Sequence, residues 1–252
     1  MKFEEWGSGA KQESRQHYQL IVSGRLWTAT NPDRVRTWGV IFDMDGVLID
    51  CYRAIFEAWQ KMLPGLGLDM TEEQFAPLFG RTNADILAAL FPSLTPERYP
   101  LIDKEKETIF REILLADFPG MDGSAELIVA LHETGAALAI GSSASPENVQ
   151  VVLERLSVAE RFEATTNGSE ITRGKPDPEV FLKTAHKIGV LPSQCVVVED
   201  APAGVAAARA AGCAAIALTG TAPRSKLTEA DLTVDSLRDS TPEIIKGLLR
   251  HI

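Results

Sequence analysis

The sequence is poor in the features that mark several protein classes. It holds three cysteines, Cys51, Cys195 and Cys213, and no two of them form a CxxC pair. A set this sparse and odd in number excludes a disulfide framework and a cysteine-held structural zinc. No apolar run approaches the ~20 residues of a membrane-spanning helix. The first ten residues carry three charges and no apolar stretch, so they do not read as a secretory signal. Positive charge is also scarce, with 25 basic against 35 acidic side chains and a formal net charge of −10. A chain this acidic disfavours nucleic acid and anionic membrane as partners. The expected compartment is the cytoplasm, and a monomer or small homo-oligomer is the expected state. Asn167-Gly168-Ser169 has the spacing of a glycosylation sequon. Without a secretory signal it reads as a turn.

What is present is ordinary for a globular protein: 45 % hydrophobic and 24 % charged residues over 252 positions. That length suits one large domain or two unequal ones. Residues 1–36 are polar and mixed, with a possible hairpin of Tyr18 to Val22 and Leu26 to Thr30 around Ser23-Gly24, or else a loose arm. From Trp38 onward, short continuous apolar runs predict strands buried on both faces. These are Gly39 to Phe42, Ala136 to Ile140, Val196 to Val198 and Ala214 to Leu218. Amphipathic helical patterns alternate with them at Ser124 to Glu133, Pro146 to Leu156, Pro178 to Ile188 and Pro202 to Ala211. Strand–helix alternation predicts an α/β fold, a doubly wound parallel sheet with helices on both faces.

One segment breaks the alternation. Tyr52 to Leu63, a short turn after Thr71, Asn83 to Leu90 and Thr95 to Leu115 all read as helix. Thr71 with Gln74, and Thr95 with Arg98, offer start signals of unequal quality. The expected organisation is an N-terminal extension (1–36), a core (37–51 and 118–252) and a small all-helical cap domain (52–117) inserted after the first core strand.

The polar residues of interest all follow predicted strands. Ligands of open parallel sheets bind beyond the carboxyl ends of the strands, so Asp43, Asp45, Ser142, Glu199 and Asp200 are expected to converge. Four carboxylates in one crevice repel each other and call for a hard cation such as Mg²⁺. Lys175, in Arg173-Gly174-Lys175-Pro176-Asp177-Pro178, is a lysine in a rigid turn suited to gripping an anion. Ser142 and Ser143, just ahead of a helix start at Pro146, offer hydroxyl and N–H donors for phosphate oxygens.

Four ordered motifs carry a family resemblance. They are Asp43-Met44-Asp45-Gly46-Val47-Leu48-Ile49-Asp50, Ser142, Gly174-Lys175-Pro176 and Glu199-Asp200-Ala201-Pro202-Ala203-Gly204. Together they resemble the haloacid dehalogenase-like hydrolase superfamily over roughly residues 38–237. The place of the helical insert resembles the subgroup that holds β-phosphoglucomutase and small-metabolite phosphatases. The resemblance implies a Mg²⁺-dependent phosphatase acting on a small phosphorylated metabolite, with a sugar phosphate as one option. Asp43 would be the nucleophile and Asp45 the general acid and base. Asp43, Asp200, the Asp45 backbone carbonyl and Glu199 would hold or surround the metal, while Ser142 and Lys175 would hold the phosphoryl oxygens. Arg81, Thr82 and Asn83 would face the substrate from the insert, which would hinge near Asp50-Cys51 and Asp117-Pro119. The presence of Asp45 disfavours carbon–halogen cleavage. Ile55 and Asn83 stand where the mutase has a histidine and an arginine, so a phosphosugar mutase is the second reading. A non-catalytic binding protein is the third.

Overall fold

The computed structural model describes residues 36–79 and 82–249 in full and residues 18–22 and 25–29 by their backbone. Residues 18–22 and 25–29 form a hairpin, one of the two readings of this stretch, with β1 (Tyr18–Val22) pairing antiparallel to β2 (Arg25–Ala29), one residue earlier than Leu26 to Thr30. It belongs to a unit separate from the one that begins at Arg36.

The second unit is built on a six-stranded parallel sheet of order β5-β4-β3-β6-β7-β8. The apolar runs become its four central strands, β3 (Gly39–Phe42), β4 (Ala137–Gly141), β6 (Cys195–Glu199) and β7 (Ala214–Leu218), and every residue in them is buried. Burial on both faces is why these strands are continuously apolar rather than alternating. Phe42 lies beside Ile140 on one side and Val198 on the other, so the loops after β3, β4 and β6 leave the sheet at one edge. The chain runs from β3 through β4 to β5, then returns to lay β6 against the other side of β3. That reversal opens a crevice beyond the strand ends.

Helices α5 (Ser124–Glu133), α6 (Pro146–Leu156), α7 (Glu179–Lys187) and α8 (Pro202–Ala211) connect the strands. The boundaries of α5, α6 and α8 are those expected, whereas α7 is one residue shorter at each end. Two strands were not anticipated, β5 (Ala164–Thr166) and β8 (Leu232–Val234). Each has three residues and is half-exposed at a sheet edge, too short to show a periodicity. Helix α9 (Pro242–Gly247) follows β8. Asn167-Gly168-Ser169 is a turn, its Asn167 side chain accepting from the Ser169 amide.

The described residues of the insert form helices, as expected, joined by turns: α1 (Tyr52–Met62), α2 (Glu72–Phe75), α3 (Asn83–Leu90) and α4 (Tyr99–Ala116). Thr71 and Gln74 form the full reciprocal cap of α2. The expected start at Thr95 is wrong. Pro96 to Arg98 form a separate 3-10 turn, Thr95 makes no capping hydrogen bond, and α4 begins at Tyr99. Pro100 explains the break. Within a helix started at Thr95 it would remove a bond and clash with the preceding turn, whereas near a helix start it is harmless.

The insert faces two ways. On α1, Ala54 and Ala58 pack into the core cluster beside the sheet, while Trp59 and Met62 join a second cluster with Phe75, Leu87 and Ile102. The two chain crossings between insert and core are stitched together. The Asp50 amide donates to the Pro119 carbonyl at 2.8 Å, and the Met121 amide to the Leu48 carbonyl at 2.9 Å. Phe75, fully buried, stacks on Phe56 at 5.5 Å and meets Phe79 edge-on at 5.9 Å. Phe75→Ala is expected to cost ~3–5 kcal/mol of stability through the cavity it leaves. Urea denaturation measures this, and a loss below ~1 kcal/mol would show that the second cluster is not tightly packed.

Candidate active site

Asp43, Glu199, Asp200 and Lys175 meet at the edge where β3, β4 and β6 end, and Ser142 follows β4 at the same edge. Asp43 directly follows β3, its amide donating to the Val198 carbonyl of β6 at 2.9 Å. Glu199 is the last residue of β6 and Asp200 follows it. All three are buried, and each offers an oxygen such that the three atoms lie within 4.8 Å of one another. Among the described residues this is the one such group of potential metal ligands. The Asp45 carboxylate is not part of it.

Lys175 is the cation of the crevice. Its Nζ lies 3.0 Å from Asp43 Oδ1 and 2.5 Å from Glu199 Oε1, and the ammonium rests 5.2 Å from the centre of the Phe181 ring. The two anions raise the affinity of Lys175 for its proton above the ordinary lysine value, against the opposing pull of burial. The other Glu199 oxygen accepts from the Asp200 and Ala201 amides, both at 2.9 Å, at the start of α8. A carboxylate there also meets the positive end of the helix dipole.

Two glycines make this packing possible. A Cβ on Gly204 would lie 1.8 Å from Glu199 Oε1, and one on Gly46 would lie 1.8 Å from Asp200 Oδ2. Gly46 also has φ +76°, a left-handed conformation that glycine adopts without strain.

Ser142 follows β4 and is buried, its amide donating to the Thr166 carbonyl at 3.0 Å and its Oγ accepting from the Ala144 amide at 3.2 Å. Ser143 is exposed, and Ser145 rather than either of them caps α6.

The expected insert contacts fall differently. Arg81 lies outside the described residues. Thr82 is exposed and caps α3, accepting from the Asp85 amide at 3.2 Å. Asn83 turns to its neighbours on α4, donating to Asp103 at 2.6 Å and Glu107 at 2.8 Å.

Four further residues bear on these carboxylates. The Cys51 thiol hydrogen-bonds the Asp45 carboxylate, and Thr221 hydrogen-bonds Asp200. Lys106 and Glu107 of α4 act on Asp45 through their charges. In Lys104-Glu105-Lys106-Glu107 they look like a solvated face. The available signal was position, since Lys106 is four residues from both Ile102 and Phe110 on the apolar side of α4.

The crevice is electrostatically unbalanced. Burial, together with repulsion from Glu199 and Asp45, pushes the Asp43 carboxyl up to about 7 despite Lys175. Burial also raises Asp45, and burial with the charges of Glu199 and Asp43 raises Asp200 well above the carboxylate range. Four carboxylates face one ammonium. A divalent cation fits this donor set, which is anionic, all-oxygen and buried.

The structure is a doubly wound parallel sheet with buried acidic residues at its switch point, the place where open α/β sheets bind ligands. The chain belongs to the haloacid dehalogenase-like hydrolase family, whose model matches residues 40–218, and it is an enzyme of the phosphoric monoester hydrolase type. It is 31 % identical to hexitol phosphatase A of Escherichia coli (strain K12), over 82 % of this chain and 94 % of that one. It is 28 % identical to β-phosphoglucomutase of Bacillus subtilis (strain 168), over 82 % of this chain and 92 % of the relative. Among solved structures, a family IA variant 3 hydrolase from Entamoeba histolytica superimposes with a TM-score of 0.77 at 27 % identity, covering 85 % of this chain and all of that one. No helix among the described residues is long and apolar enough to cross a membrane.

The raised carboxyls have a consequence for stability. Asp43 binds its proton more tightly folded than unfolded, so folding takes up a proton between the unfolded value of 3.8 and about 7. Metal-free stability therefore falls as pH rises through that window, and Asp200 acts in the same direction. In chelator, Asp43→Asn is expected to stabilise the protein by about 2–4 kcal/mol at pH 8 and to leave it nearly unchanged at pH 4. Thermal denaturation at the two pH values checks this, and equal effects at both would contradict the charge imbalance.

Proposed function

We propose that the protein is a Mg²⁺-dependent phosphatase of a small sugar or polyol phosphate, working through an aspartyl-phosphate at Asp43. The carrying observation is the pairing of buried Asp43 with the largely covered Lys175, with a second carboxylate, Asp45, two residues along the same turn. Asp43 attacks phosphorus as the bond to the sugar oxygen breaks, and Asp45 gives its proton to that oxygen. The raised affinity of Asp45 for a proton suits it to this task. Water then attacks the phosphoryl group, Asp45 takes the proton, and Asp43 is freed. Lys175 and Ser142 hold the phosphoryl oxygens, and Lys175 screens Asp43 from the incoming anion. Asp43, Asp200 and the Asp45 carbonyl are the proposed metal ligands, with Glu199 beside them holding Lys175. A bound Mg²⁺ supplies a positive centre that neutralises the carboxylates and the phosphoryl charge. Residues 52–117 act as a cap that covers the crevice and excludes bulk water during transfer.

Two side chains favour a phosphatase over a mutase. Ile55 is packed among the apolar clusters and can move no proton. Asn83 spends its amide on Asp103 and Glu107, which leaves it poorly placed to grip a second phosphate. Similarity to a hexitol phosphatase supports a polyol or sugar leaving group.

Phosphate release from a panel of hexitol and hexose phosphates, in Mg²⁺ and in EDTA, tests the proposal. Release is expected only with Mg²⁺, and Asp43→Asn is expected to lower kcat by at least ~10³-fold. Conversion of a hexose 1-phosphate to its 6-phosphate without release would establish the mutase instead. No turnover across the panel would refute both.

A further inference from the structure

A buried polar network joins the insert to the core, and the proposed chemistry uses none of its bonds. Asn148 lies in the first turn of α6, six residues after Ser142, and is 4 % exposed. A primary amide this buried needs partners for both its ends. Both come from α4. Arg111 Nη1 donates to Asn148 Oδ1 at 3.0 Å, and Asn148 Nδ2 donates to Glu107 Oε2 at 2.5 Å. Glu107 is a hub. Its other oxygen accepts from Lys106 Nζ and Asn83 Nδ2, each at 2.8 Å. Lys106, 3 % exposed, is held between that carboxylate and the Phe110 ring, whose centre is 5.0 Å away. Burial penalises the Glu107 carboxylate, yet Lys106 and the two amides outweigh it and hold the group below the ordinary value. Glu107 is thus an anion kept charged by donors from the insert and the core together.

The bonds sit where they can control closure. The insert is tied to the core covalently at two crossings, and α4 packs on α6 across the boundary between them. If α4 lifts away, Asn148, Arg111 and Glu107 all reach water and are satisfied there. Closed, they satisfy one another. A contact satisfied in place and, once parted, by water is of the kind that can switch.

We infer that Asn148 is a positioning residue that fastens the helical insert over the Asp43–Asp45 turn through Arg111 and Glu107. This rests on the reading of residues 52–117 as a cap. Donor and acceptor can be exchanged to test it. Asn148→Asp sets a carboxylate against Glu107 and should open the insert. Adding Glu107→Gln restores complementarity. The new amide N–H₂ donates to the new carboxylate, which still accepts from Arg111, and the new amide oxygen still accepts from Lys106 and Asn83. Glu107→Gln alone opposes two N–H₂ groups and should not mimic the wild type.

The full chain is measured by small-angle X-ray scattering without ligand and by phosphate release from sorbitol 6-phosphate with Mg²⁺. Asn148→Asp is expected to raise the radius of gyration and lower kcat/KM about tenfold, as loss of a charge-assisted bond does. The double variant is expected to recover the radius and to raise kcat/KM above that of Asn148→Asp. If Asn148→Asp leaves both readouts unchanged, or the double variant recovers neither, the inference is overturned. If Asn148→Asp fails to fold, Arg111→Met replaces it, and an unchanged radius there overturns the inference equally. A radius that shifts and recovers in a protein that hydrolyses no phosphate ester sustains the brace and refutes the proposed function.

Discussion

The structure depends on one ion pair system, Lys175 between Asp43 and Glu199. Strand ends bring Asp43, Glu199 and Asp200 into one buried crevice. Buried like charges are tolerated only with close counter-charge and saturated hydrogen bonds. Lys175 supplies the charge, and the first amides of α8 saturate the second Glu199 oxygen. The space this takes explains the bare backbone of Gly204, where any side chain would collide with Glu199. Even so, three net negative charges remain if all four carboxylates ionise, and burial, with repulsion from Glu199 and Asp45, pushes Asp43 toward neutral pH. A site that is underscreened in isolation is prepared to take a cation and an anionic ligand together.

This changes how the overall charge of −10 bears on function. Bulk repulsion argues against polyanions, whose binding depends on broad positive surfaces. A phosphate monoester is decided within a few ångströms. The insert adds to that local balance, because Lys106 and Glu107 oppose each other in their effect on Asp45. Core and insert thus share one electrostatic problem, and the Glu107–Asn148 contact places part of its solution on the boundary between them.

Much of this was legible in the residues, for physical reasons. Strands buried on both faces must be apolar throughout, so β3, β4, β6 and β7 stood out. Their polar successors then had to be ligands or turn residues. Helices α6 and α8 announced themselves by a proline at the start, and α8 also by Gly212 at its end. The half-exposed edge strands β5 and β8 carry too few residues to show any pattern. The start of α4 was misplaced because Thr95 has the chemistry of a cap, yet Pro100 decides the matter five residues later. Least legible were the pairings of Asn83, Glu107, Arg111 and Asn148. Each is an ordinary polar residue in a helix, and only the packing of α4 on α3 and on α6 gives them their partners. Arg81 falls outside the described residues.

The central claim is that Asp43 becomes covalently phosphorylated in this crevice. Acid quenching during turnover of sorbitol 6-phosphate, borohydride reduction and peptide mass mapping test it most directly. The account predicts that Asp43, and no other carboxylate, is converted to homoserine, and only when substrate and Mg²⁺ are both present. Turnover with no reduced residue, or with reduction at Asp45, Glu199 or Asp200 instead, would contradict it.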